Sequence, residues 1–198
     1  MQGLIRLSPR QRWLALSGLL LAGFLLVPLL LVMLLNEGGL NHALTPVVPF
    51  LGMFQLIWPE HPLGALGFLL TKSVFALAHN DPRSGLNLWT LEYDTVTLVV
   101  YVVTALVAGR LAARALAGGG HRKELAAVLL GATAIALAVT YMSVIEHCSG
   151  PTWVGFVSLY GMGVDGFTIY PYWQGLFGLA GLGLLGWGFW RLRAVSDK

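Results

Sequence analysis

Cysteine occurs once in the 198 residues, at Cys148. No intrachain disulfide can form, and dithiol–disulfide exchange chemistry is excluded. Charge is equally scarce: 11% of residues are Asp, Glu, Lys or Arg, where a soluble domain carries roughly a quarter. With 57% apolar residues and a mean hydropathy of +0.74, the composition is that of a chain solvated by lipid.

Several motifs are missing too. None of the five histidines falls in the middle of a long apolar run, so a haem held between helices has no axial ligands, and there is no CxxCH for covalent attachment. Gly118-Gly119-Gly120-His121-Arg122-Lys123 lacks the Gly-Lys-Ser/Thr ending and the preceding strand of a phosphate-binding loop, so no nucleotide is implied. No Asn-x-Ser/Thr sequon and no internal repeat is present. No ionisable group lies deep in an apolar run, as proton relays and ion paths require.

What the chain does contain is long apolar runs and a lopsided charge distribution. Arg6, Arg10 and Arg12 precede the first run, and Arg110, Arg114, Arg122 and Lys123 fill one short gap. Arg191, Arg193 and Lys198 follow the last run. These segments hold ten basic and two acidic residues, whereas the intervening ones hold two basic and seven acidic. The positive-inside rule reads this as both termini cytoplasmic, in a bacterial inner membrane. The pI near 9.2 is therefore a topology signal, implying anionic inner-leaflet lipid rather than nucleic acid as the partner.

A hydrocarbon core about 30 Å thick takes roughly 20 helical residues. The sequence thus reads as an all-α integral membrane protein with four transmembrane helices, at about 13–35, 93–116, 125–146 and 172–190. The first run, Trp13–Leu35, is read as a retained anchor, since no small-x-small cleavage site follows it. The stretch 46–78 is broken by Pro59-Glu60-His61-Pro62 and carries Lys72. Counting it as one span reverses the charge rule, so it reads as a re-entrant or interfacial helical pair, with a six-span bundle as the alternative. One membrane domain covers 1–198, with an outer loop at 36–92 and an aromatic outer loop at 147–171. In the latter, Trp153, Phe156, Val157, Tyr160 and Val164 recur at helical spacing. Trp13, Trp187 and Trp190 mark the inner interface; Trp89, Tyr93, Tyr170, Tyr172 and Trp173 mark the outer one.

Two polar stripes run along the inner spans. Asp94, Thr97, Tyr101, Thr104 and Ala108 share one helical face, and Thr133, Ala136, Thr140, Ser143 and His147 share another. The two faces are expected to meet, joined by hydroxyl hydrogen bonds. Both stripes become ionisable at the outer end. There Glu60, His61, His79, Asp94, Glu146 and His147 are the candidate ligands for zinc, copper or iron, supplying nitrogen donors and carboxylates. Charges excluded from lipid also collect in any outer loop, which is the plainer reading of the same residues.

Small residues crowd the last two spans: Ala127 with Gly131, Ala132 with Ala136, and Gly175, Gly178, Gly181, Gly183, Gly186 and Gly188. Close backbone approach on several sides is the implication, including to protein partners in the membrane. The leading expectation is a non-catalytic membrane subunit or assembly factor packing against larger partners. A metal-dependent enzyme acting at the outer face is the alternative. A small transporter using the Asp94–Tyr101–Thr104 stripe is third.

Overall fold

The computed structural model describes residues 8–35, 42–44, 47–71, 73–80, 82–83, 87–117, 122–143, 149–151 and 165–196. They form six helices: α1 (Pro9–Leu35), α2 (Val47–Ile57), α3 (Pro62–Thr71), α4 (Thr95–Ala117), α5 (Arg122–Val139) and α6 (Asp165–Ser196). Five strands accompany them: β1 (His42–Leu44), β2 (Ser73–Asn80), β3 (Asn87–Asp94), β4 (Tyr141–Ser143) and β5 (Ser149–Pro151). Two of the helices, over Pro9–Leu30 and Thr95–Ala117, are long and apolar enough to cross a membrane. The chain divides into two compact units. The first comprises Met1–Val27, Val100–Val139 and Pro171–Lys198, and the second Pro28–Val99 and Thr140–Tyr170.

The first unit is helical. Helix α1 opens with a capping box: the Ser8 N–H donates to Gln11 Oε1 (3.1 Å) and the Gln11 N–H to Ser8 Oγ (3.3 Å). Pro9 follows in the first helical position, where its missing N–H costs nothing. Three contacts set α1 against α4. The Trp13 indole N–H donates to the Leu106 carbonyl at 2.9 Å. Ser17 abuts Gly109, where a Cβ would lie 2.8 Å from the Ser17 nitrogen. Phe24 packs on Tyr101 with ring centroids 5.5 Å apart. From the Ser17–Gly109 contact to the Phe24–Tyr101 contact, residue numbers rise along α1 as they fall along α4, so the pair is antiparallel.

Helices α5 and α6 are antiparallel by the same test: Ala138 lies near Gly178, Gly131 against Gly181, and Val128 against Gly188. Arg191 Nε approaches Glu124 Oε1 at 3.9 Å near the end of this pair, a half-exposed contact worth little in stability. Basic residues consequently share an end within each pair: Arg10 and Arg12 with Arg110 and Arg114, and Arg122 and Lys123 with Arg191 and Arg193. Large apolar side chains face outward along all four helices, among them Leu19, Leu26, Val103, Leu130 and Leu179. An exposed apolar surface of this extent marks a contact surface for lipid or for protein.

The second unit holds a five-stranded antiparallel sheet in the order β1-β2-β3-β4-β5. The central hairpin is the longest, running from Ser73↔Asp94 to Asn80↔Asn87 with irregularities at both ends. The outer strands have three residues each, and β5 ends in Pro151, short edges that limit pairing with other chains. Leu91 (0% exposed) and Tyr93 (1%) are buried, as are Ala76 and Ala78. Phe75 stacks on Tyr93 with centroids 4.5 Å apart.

The sheet corrects the all-α expectation. The helix read through Ala78 ends at Thr71, and Ser73–Asn80 is a strand. The span placed at 93–116 begins at Thr95, because Tyr93 and Asp94 finish β3. The span placed at 125–146 stops at Val139, and Tyr141–Ser143 is β4. In each case an apolar run spanned two elements, and apolarity alone does not tell a helix from a buried strand. Tyr93, assigned to an interfacial aromatic belt, lies instead in the core of this unit. The pair α2 and α3 does exist, at 11 and 10 residues, about 16 Å each and too short to cross a bilayer. Lys72 and the helix expected over Trp153–Val164 lie outside the described residues.

Candidate functional site

The break between α2 and α3 carries two of the candidate ligands. The His61 N–H donates to the Ile57 carbonyl (2.9 Å) and the His61 carbonyl accepts from the Ala65 N–H (2.8 Å). His61 thus closes one helix and opens the next, with Pro62 in the first helical position. Glu60 and His61 are both exposed. The surrounding surface is apolar, with Leu56 and Leu63 outward at 75% and 83% exposure.

Asp94 ends β3 and starts α4. Its Oδ1 accepts the Thr97 N–H at 2.6 Å, the geometry of an N-cap that satisfies a helix donor with no intrahelical acceptor. His79 lies near the other end of the hairpin, paired with Trp89, while Asp94 pairs with Ser73. Six residues of strand separate the two positions, about 20 Å at 3.3 Å per residue. His79 and Asp94 therefore cannot ligate one ion.

Two further carboxylates have partners within the chain. Glu92 Oε2 accepts a hydrogen bond from Ser73 Oγ across the hairpin at 2.5 Å, and Glu124 faces Arg191. Among the described residues, no three His, Cys, Asp or Glu side chains are placed to hold a metal ion. Glu146, His147 and Cys148 lie outside the described residues.

The polar stripe on α4 coincides with a buried face. Thr97, Tyr101, Thr104 and Ala108 are all buried, and Tyr101 is fully so. Its described neighbour is Phe24 of α1. The second stripe does not hold as one face. Thr133 is exposed, Ala136 and Thr140 are buried, Ser143 belongs to β4, and His147 lies outside the described residues. Helix α5 instead packs through Val128, Gly131, Ile135 and Ala138, the residues that meet α6.

The Ser73–Glu92 hydrogen bond and the Phe75–Tyr93 stack went unread because both depend on the hairpin. A signal for it exists in Asp81-Pro82-Arg83-Ser84-Gly85, a turn-forming cluster between two runs containing Val, Phe, Trp and Tyr.

Comparison with protein-family models, with curated proteins and with solved structures finds no match to this chain. The arrangement of its own residues is the basis for any functional reading.

Proposed function

We propose that the protein is a non-catalytic integral membrane subunit or assembly factor. In this reading α1, α4, α5 and α6 span a bacterial inner membrane and pack against larger partners. The basic helix ends and both termini face the cytoplasm, and the segments 36–92 and 147–171 are outer loops. The short pair α2 and α3, with its outward Leu56 and Leu63, rests at the outer interface of the bilayer.

One observation supports the partner reading above the others. Helix α6 has two opposite faces of different use. Gly178, Gly181, Leu185, Gly188 and Leu192 lie on one side, and the three glycines of this set all meet α5. Gly175, Gly183 and Gly186 lie on the other, with nothing among the described residues within 4 Å of where a Cβ would be. Leu179 and Leu182 flank them, exposed at 70% and 61%. Glycine lowers helix stability relative to alanine, and lipid tails do not require a bare backbone. A second helix in close approach does.

Purification in mild detergent tests the proposal. Stoichiometric partner chains should accompany the protein and be lost from a Gly183→Val, Gly186→Val variant whose thermal stability is unchanged. A protein that purifies as a clean monomer from its native membrane would sink the reading.

A further inference from the structure

A cavity of about 420 Å³ opens between the start of α1 and the end of α4, ringed by Arg10, Arg12, Arg110 and Arg114. Trp13 and Ala113 line it as well. Among the described residues no acidic side chain lines it, and Arg10, Arg110 and Arg114 have no carboxylate partner among them. From this geometry we infer that the cavity binds the phosphate headgroup of an anionic phospholipid, a proposal that rests on the membrane reading above.

Three features favour that ligand. The guanidinium groups of Arg10, Arg110 and Arg114 around one opening repel each other unless an anion lies between them, and the arginine fork matches phosphate oxygens two at a time. The lining also includes the apolar Pro9, Trp13, Ala113 and Ala117. The Trp13 ring is held in place by its hydrogen bond to the Leu106 carbonyl, as an interfacial tryptophan is at headgroup level. Finally, the outward side chains one turn further along the same helices, Leu14, Leu106 and Val107, are exposed and apolar, so acyl chains have a surface to follow. The volume lies in the range of small-molecule sites, about 300–1,000 Å³, with room for more than a lone phosphate ion.

The anion is held by side chains rather than by the helix terminus. Within α1 the Gln11 N–H is already taken by the Ser8 hydroxyl and the Arg12 N–H by the Ser8 carbonyl. The α4 end presents carbonyls, which repel an anion. Selectivity therefore depends on the guanidinium groups.

The full-length protein is incorporated into phosphatidylcholine vesicles with and without phosphatidylglycerol, and retained lipids are counted by native mass spectrometry after detergent extraction. The expected result is preferential retention of phosphatidylglycerol. In an Arg110→Gln, Arg114→Gln variant the preference should fall about tenfold or more. An Arg191→Gln, Arg193→Gln variant, with the same change in net charge on the other helix pair, should keep it. Both arginines of the test variant are exposed, so helix content by circular dichroism should match the parent. Equal retention of the two lipids, or equal loss in both variants, would overturn the inference while leaving the membrane reading intact. Displacement of the lipid by millimolar inorganic phosphate would overturn the lipid assignment in favour of a free-anion site. Failure to enter vesicles of either composition would overturn the membrane reading and this inference together.

Discussion

Gly131 and Gly181 block each other's side chains reciprocally: a Cβ built on either would lie 2.8 Å from the carbonyl oxygen of the other. Neither neighbour is the flexible end of a side chain, so nothing can yield without moving a helix backbone. Gly181→Val should cost about 1–3 kcal/mol through forced separation of α5 and α6. Gly183→Val, on the open side of the same helix, should leave stability unchanged. Thermal unfolding in detergent compares the two, and equal melting temperatures would contradict the packing described.

At Asp94 a single carboxylate joins strand to helix through its hydrogen bond to the Thr97 N–H. Asp94→Ala should destabilise the protein by about 1 kcal/mol, whereas Asp94→Asn, which keeps an acceptor, should lose only a fraction of that. Hydrogen exchange of the first turn of α4 is the local readout. Protection there that is identical in all three proteins would rule out the capping role.

The sheet unit depends on Leu91, which is fully buried. Leu91→Ala should cost about 2–5 kcal/mol, the combined loss of transfer energy and of packing around the vacated space. Leu63→Ala, at a surface position, should change stability by less than about 0.5 kcal/mol. Limited proteolysis under native conditions reads the difference as faster cleavage of the Leu91 variant alone.

Orientation is testable because Cys148 is the only native thiol. In a Cys148→Ser background, Arg83→Cys should react with a membrane-impermeant maleimide added to intact cells. Gly119→Cys should react only after permeabilisation. The reverse pattern would place the basic ends outside and remove the basis for the cytoplasmic assignment.

Helical content was legible in the chain, and so was the presence over Pro9–Leu30 and Thr95–Ala117 of helices long and apolar enough to cross a membrane, because each is a long apolar run. The buried face of α4 was legible as well: Thr97, Tyr101, Thr104 and Ala108 fall at helical spacing within the stretch from Val96 to Gly109, which is otherwise apolar. The second stripe misled because it was extended past Val139 at helical period, while the chain changes to strand at Tyr141. The candidate metal ligands share a region of the sequence, yet that did not place His79 near Asp94. Hairpin register separates them.

Amino-acid order alone determined where charge is concentrated and which segments are too apolar for water, since both are sums over neighbouring residues that no packing can alter. Tertiary structure decided which apolar stretches become strands, which glycines of α6 meet α5, and that the arginines opening α1 and closing α4 surround one cavity. Those outcomes depend on partners remote in the chain. A Ser73 facing an Asp94, or a Gly131 against a Gly181, exists only once the backbone has brought the two positions within hydrogen-bonding or van der Waals range.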